Sequence, residues 1–286
     1  MTEISPLNAD LHCHSVVSDG TLEPEALVER AHRNGVQMLA LTDHDEIGGL
    51  AQAEAAATAR GIRFVPGVEV SVTWGHQTIH VVGLRIDYRD PRLLEGLQRT
   101  RGGREQRARE IAAQLENAGI AGAYEGALQY VGNPDLISRS HFARYLVEIG
   151  ACADVSQVFE RYLVEGRPGY VAHRWARLGD AVRWIRDAGG DAVLAHPGRY
   201  KLSAGGLWSL MAEFAEAGGT GIEVVSGSHT PEQYRTFAQH AVDFGFRASR
   251  GSDFHDPKES RVDLGRLPPL PWSVVPIWHG WEDRSE

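Results

Sequence analysis

The sequence predicts an α/β fold with a mostly parallel sheet, open or closed into a barrel, carrying an all-helical insertion. Three observations predict it. Short apolar, β-rich runs alternate with helical runs through most of the 286 residues, and such alternation gives a parallel sheet covered by helices. Several of these runs are continuously apolar, as strands buried on both faces require. From 99 to 170 the alternation stops and helical spacing takes over.

The expected strands are 8–12, 37–42, 62–70, 79–84, 191–195, 221–225 and 246–251. Between the first two, a helix begins near Pro24, which suits a first turn, and stops at Asn34-Gly35. "TPEQYRTFAQHAVDFG" repeats the pattern: Thr230 caps, Pro231 opens and Gly245 closes. In the helical stretch, Ala108, Ile111, Ala112 and Leu115 keep helical spacing. So do Phe142, Tyr145, Leu146 and Ile149, then Val155, Val158, Phe159 and Tyr162. Residues 1–98 and 171–286 are therefore expected to form the α/β body, and 99–170 a helical subdomain. "LPPLPWSVVPIWHGWE" is read as an extended segment packed on the body's surface.

Composition narrows the function. Hydrophobic residues make up 42% and charged residues 23%, enough for a sizeable core and against disorder. No apolar run reaches the ~18 residues of a membrane helix, and "MTEISPLNA" lacks a secretory pattern. A cytoplasmic protein without membrane or obligate protein partner is expected. Two cysteines, Cys13 and Cys152, disfavour a disulfide framework or a thiolate zinc site. A formal charge of -9 disfavours a broad duplex-DNA-binding face, although bound cations can still attract a small anionic substrate.

The chemistry-bearing residues cluster at strand ends. "DLHCHSVVSDG" supplies His12, His14 and Asp19, and "LTDHDE" supplies Asp43 and His44. "VPGVEVS" gives Glu69, "IHVVG" His80, "AVLAHPGRY" His196 and "RGSDFHD" Asp253 and His255. Strand alternation points His12 and His14 one way and Cys13 the other. Ligands at the carboxyl ends of parallel strands converge on one face. Imidazole and carboxylate suit manganese, zinc or iron. Nine or so ligands exceed one ion's needs, so two or three ions are expected, with a carboxylate able to bridge.

These motifs, spanning about residues 8–265, resemble the PHP family, named for polymerase and histidinol phosphatase. The resemblance implies a distorted seven-stranded β/α barrel with a trinuclear centre. It implies that His12, His14, Glu69 and Asp253 hold one ion, that Glu69 bridges to a second with His80 and His196, and that Asp19, His44 and His255 hold the third. Some relatives carry histidine at the Asp19 position. Manganese is the expected ion, with Zn2+, Fe2+ or Mg2+ as alternatives.

The insertion, with "RGGREQRAREIAAQLENAGI", "ISRSHFARYLVE" and "GRPGYV", resembles a narrower branch. These are bacterial nucleoside 3′,5′-bisphosphate phosphatases, whose relatives act as 5′→3′ exoribonucleases on short RNA. The implied reaction cuts a P–O bond at the 3′-oxygen of a 5′-phosphorylated nucleotide. Glu69, Asp253 and Asp19 are the expected catalytic carboxylates, with His229 donating to phosphate or leaving oxygen. Gly102, Gly103, Arg104, Arg139, His141, Arg199 and His229 are the expected substrate contacts, because guanidinium forks and exposed backbone suit phosphate. Arg107, one helical turn from Arg104, and Arg144 read at least as well as solvated surface. The rival readings are a histidinol-phosphate or other small phosphomonoesterase, a proofreading exonuclease and a non-enzymatic nucleotide-binding module.

Overall fold

The computed structural model describes residues 7–281. The outermost parts of the expected body, 1–6 and 282–286, lie outside the described residues. In chain order the elements are β1 (Ala9–Asp10), α1 (Pro24–Arg33), β2 (Met38–Leu41), α2 (Leu50–Thr58), β3 (Arg63–Trp74), β4 (Gln77–Leu84) and α3 (Pro91–Arg101). Then come α4 (Arg104–Asn117), α5 (Ala123–Leu128), α6 (Arg139–Glu148), α7 (Val155–Val158) and α8 (Leu178–Asp187). The chain continues through β5 (Asp191–Leu194), α9 (Ala204–Glu216), β6 (Gly221–Ser226), α10 (Pro231–Phe244) and β7 (Arg247–Gly251).

All seven strands join one sheet in sequence order, β1 to β7. Past β1 the chain bonds across to β7 and beyond. Leu11 N–H donates to Arg250 O, Asp253 N–H to His12 O and His14 N–H to Phe254 O. The sheet is thus a nearly closed barrel, and β1 proper is shorter than the expected 8–12. One strand runs against the rest: β4 pairs antiparallel with both β3 and β5. The loop between β3 and β4 is only Gly75-His76, too short for the crossover that a parallel pair needs. This reversal brings the start of β4, where His80 sits, to the mouth at which the parallel strands end.

The barrel separates two apolar layers. Inside, Ala9, Leu11, Met38, Ala40, Val82, Leu84 and Val193 pack together with Ile277 and Trp281. The C-terminal segment therefore does more than lie on the surface. Ile277 N–H bonds to Ala248 O, and Trp281 Nε1–H donates to Asp191 Oδ2 at 3.0 Å, closing the end opposite the site. Outside, the helices cover the strands in a larger core. Cys13 lies in that outer layer, its thiol donating to Ala40 O, as alternation predicts. α3 packs on this core through Leu93 and Leu97. Gly96 makes the contact possible, since a Cβ there would meet the Trp184 ring at 2.4 Å.

The helices after α3 have a core of their own. Ala108, Ile111 and Leu115 of α4 meet Phe142, Ala143 and Leu146 of α6, with Val158 and Leu163 beneath. α6 starts with a capping box in which Ser138 and His141 satisfy each other's orphan groups. Among the described residues, no helix is long and apolar enough to cross a membrane. Both cysteines are free and buried.

Candidate metal centre

At the open mouth the sequence-predicted ligands meet around Glu69, which is fully buried. Glu69 Oε2 faces His12 Nε2 at 3.2 Å, His14 Nε2 at 3.3 Å and His44 Nδ1 at 3.0 Å. Its other oxygen, Oε1, faces His80 Nδ1 and His196 Nε2, each at 2.9 Å. Those two rings are 3.3 Å apart at their nitrogens. Asp253 Oδ1 stands 3.3 Å from His14 Nε2, completing a set of His12, His14, Glu69 and Asp253. A further set joins Asp19 and His255, 3.3 Å apart, with His44 and His14. His44 presents Nδ1 to Glu69 and Nε2 to Asp19, so it stands between two sets.

The backbone is bent to make this convergence. His196 and Asp253 follow β5 and β7 with φ of 26° and 56°, a region that side chains with a Cβ rarely occupy. Such strain persists where surrounding structure over-determines it. At Gly251 a Cβ would meet that of His12 at 2.3 Å, so only glycine lets β7 approach this closely.

The donor set fits divalent ions. His14 Nδ1, Asp19 Oδ1, His44 Nδ1, Glu69 Oε2 and His196 Nδ1 are buried without a hydrogen-bond partner. Buried polar groups are otherwise almost always satisfied. His44 Nδ1 and Glu69 Oε2 are close but not aligned as a hydrogen bond, as lone pairs converging on a shared cation would be.

Three supporting groups escaped the sequence reading. Glu223, on β6, joins two sets: one oxygen pairs with His12 Nδ1 at 2.7 Å and the other accepts the His196 N–H at 2.6 Å. Such partners fix the tautomer and orientation of a ligating imidazole. The signal was a lone carboxylate inside an apolar strand, "GIEVVS". The Tyr200 hydroxyl donates to Ala195 O at 2.7 Å and accepts from the His80 N–H at 2.9 Å. Asp45 accepts from the Ser71 N–H and hydroxyl, each at 2.8 Å. Asp43, named with His44 in the sequence, turns away from the centre. It accepts from the Ser15 N–H and from the hydroxyls of Ser15 and Ser18, and so ties down the loop ahead of Asp19.

Two imidazoles of the cluster, His12 and His14, favour holding a proton when no ion is bound. Burial alone would lower His12, but Glu69, Glu223 and Asp253 overcome it and hold the imidazole well above its ordinary range. His14 is likewise driven down by burial and then raised to about 10 by Asp253 and Glu69. An ion must displace such protons before it can use these nitrogens. Ion binding to the ion-free protein is therefore expected to release protons near pH 7, with apparent affinity rising as pH rises. Calorimetric titration in buffers of different ionisation enthalpy measures this. Heats that do not depend on the buffer would contradict it.

A cavity opens above the cluster. It is lined by Asp19, His44, Glu69, His80, His196, Asp253 and His255 on the barrel side. Arg104, Arg107, Ser138, Arg139, Ser140 and Phe159 line it on the insertion side, with Trp175 and Arg199 at the edge. Arg199 donates to Asp253 Oδ2 at 2.7 Å from the half-exposed rim. Arg104 is buried, with its charge engaged by Asp45 and its guanidinium 4.5 Å from the Trp175 ring. Arg107, read from sequence as surface, lines the cavity instead. It makes one backbone bond, to Val171 O, and Arg139 makes one to Leu163 O. Among the described residues neither has a carboxylate at ion-pair distance. Burial, then the neighbouring charges of Arg139 and Arg104, push the Arg107 guanidinium well below its ordinary range, and burial lowers Arg139. Arg144 is also buried, paired with Glu259 at 3.1 Å.

Four expected substrate contacts lie elsewhere. Gly102 and Gly103 make the turn between α3 and α4, with φ of 87° at Gly103, and are absent from the cavity wall. His141 is buried, and its Nδ1 accepts the Ser138 N–H at 2.9 Å in the capping box. His229 uses both nitrogens on the backbone: Nδ1–H donates to Val224 O and Nε2 accepts the Gly198 N–H at 3.1 Å. That leaves it no proton for a leaving group. It clamps the loop leading to Arg199 instead.

A nearly closed α/β barrel with nine imidazole and carboxylate side chains at one mouth defines a barrel protein with a candidate multinuclear metal centre. The chain belongs to the PHP domain family of metal-dependent phosphoesterases, whose family model matches residues 10–190. It is 53% identical over 277 residues to a 3′,5′-nucleoside bisphosphate phosphatase of Chromobacterium violaceum, covering 97% of each chain. It is 44% identical to the 5′-3′ exoribonuclease Rnm of Escherichia coli, covering 96% of this chain and 93% of that one. A solved structure of an amidohydrolase from C. violaceum, with bound sulfate and no metal, superposes with a TM-score of 0.94 at 53% identity, covering 97% and 96%.

Proposed function

We propose that this chain is a metal-dependent phosphoesterase acting on the 3′-phosphate of nucleoside 3′,5′-bisphosphates. The products are a nucleoside 5′-phosphate and phosphate. On short 5′-phosphorylated RNA the same cut at the 3′-oxygen releases a 5′-mononucleotide. The observation that carries this reading is one cavity with an ion-ligand cluster on one wall and two uncompensated guanidiniums, Arg107 and Arg139, on the other. A substrate with an anion at each end satisfies both. The nucleotide-directed relatives at 53% and 44% identity support it.

In this reading His12, His14, Glu69 and Asp253 hold one ion. Glu69, His80 and His196 hold a second, and Asp19, His44 and His255 a third. Manganese is the proposed ion, because imidazole and carboxylate without thiolate suit it. When bound, such ions activate water at neutral pH and neutralise charge on the phosphoryl group. Glu69, whose two oxygens face different imidazoles, would serve both of the first two sets. Arg199, anchored on Asp253, presents its remaining N–H groups to the same phosphoryl oxygens. Arg107 and Arg139 grip the distant 5′-phosphate. Phe159 and Trp175 offer ring faces to the nucleoside. The insertion, from about 99 to 170, is thus the substrate-binding cover of the barrel.

The test is phosphate release and product analysis on pAp, pGp and a short 5′-phosphorylated RNA, with manganese and with histidinol phosphate as comparison. Release of 3′-phosphate from pAp, well above release from histidinol phosphate, is expected. No release from pAp would overturn the proposal, and preference for the small monoester would favour the rival phosphatase.

A further inference from the structure

The three ligand sets are not braced in the same way. The sets around His12 and His196 are supported from within the barrel, by Glu223 on β6 and by Tyr200 just after β5. The set of Asp19, His44 and His255 sits on three loops, and the helical insertion reaches each of them. Asp19 Oδ1 faces the imidazoles, whereas among the described residues its other oxygen accepts only from the insertion. Ser140 Oγ–H donates to Asp19 Oδ2 at 3.0 Å, with Ser138 Oγ at 3.5 Å. Beside His44, Arg104 pairs with Asp45 and Arg101 with Glu46 at 3.1 Å. Four residues past His255, Glu259 takes the charge of Arg144.

We infer that the third ion site is a joint site of barrel and insertion, and that Ser140 is a positioning residue for it. Without the Ser140 hydroxyl, Asp19 Oδ2 keeps only the longer contact from Ser138 among the described residues, and its ligating oxygen is less firmly aimed. Outer partners of this kind typically contribute 10- to 100-fold to ion affinity. The coupling is reciprocal: whatever seats the insertion tightens the third ion, and the third ion helps to seat the insertion. Because Arg107 and Arg139 are on the insertion, substrate and third ion reinforce each other's binding. This inference rests on reading the clusters as ion sites.

The experiment counts ions. Manganese affinity and stoichiometry are measured on the full chain, wild type and Ser140→Ala, by equilibrium dialysis with elemental analysis. Ser140→Thr, which keeps the hydroxyl, is the rescue. The expected result is three ions on the wild type. In Ser140→Ala two affinities are unchanged and the weakest falls by about 10- to 100-fold, and Ser140→Thr restores it. Three unchanged affinities in Ser140→Ala would overturn the inference, as would equal weakening of all three. Two ions on the wild type would remove the third site, and the inference with it. Phosphate release from pAp is assayed separately. Its absence from a protein with the expected three-ion pattern would overturn the proposed substrate and leave the joint site standing.

Discussion

Glu69→Gln is expected to cost at least about 10³-fold in turnover and to empty one of the two ion sites proposed for Glu69. No other side chain in the centre faces five imidazoles, those of His12, His14, His44, His80 and His196. An amide keeps the shape but has one acceptor oxygen and an N–H₂ donor in place of the other. Whichever way it turns, one set meets N–H where it had a carboxylate oxygen. Lewis-acid assistance is worth several kcal/mol, and about 4 kcal/mol corresponds to about 10³ in rate at 1.36 kcal/mol per decade. The ion-free protein also suffers, because the protons on His12 and His14 lose a buried counter-charge. Breaking a buried pair in this way costs about 3–5 kcal/mol. Circular dichroism and thermal melting must therefore accompany elemental analysis and the pAp assay. A folded Glu69→Gln protein with full ion content and normal turnover would remove Glu69 from the bridging role.

The parts of this protein that the sequence reveals are those fixed by local pattern. Continuous apolar runs mark the strands because strands buried on both faces have no polar side to display. Histidine and carboxylate at the ends of those runs mark the side chains that meet at the mouth, because a closed sheet turns strand ends into one ring. What pattern does not encode is which neighbour lies across. Apolar pattern alone ends one strand at 70 and begins the next at 79, whereas β3 reaches Trp74 and β4 starts at Gln77. Those few residues hid a two-residue hairpin and with it the reversed direction of β4. The same limit governs side-chain roles. His141 and His229 look reactive by type, yet His141 Nδ1 and both nitrogens of His229 are taken up by backbone groups once the chain folds. Arg104 and Arg107 are one turn apart and alike in sequence. Asp45, about sixty residues earlier, neutralises the first and leaves the second facing the cavity.

That difference between the arginines sets the second large effect. Arg139→Ala is expected to lower kcat/KM for pAp by about 10²-fold, mostly through KM, while p-nitrophenyl phosphate turnover changes little. A hydrogen bond to a charged group is worth about 1.5–3 kcal/mol, and the upper end is about two decades at 1.4 kcal/mol each. The upper end applies because Arg139 has no carboxylate partner among the described residues and is partly removed from water. A simple ester has no second anion, so it does not use the contact. Arg107→Ala should act in the same direction. If both guanidiniums grip one phosphate, their losses are coupled, and the double variant should fall short of the sum of the two single effects, as contacting residues do. Strict additivity would place them on separate groups of the substrate. Equal loss on pAp and on p-nitrophenyl phosphate would show that Arg139 serves the reacting phosphate or the fold, and would take the distant anion site away from the insertion.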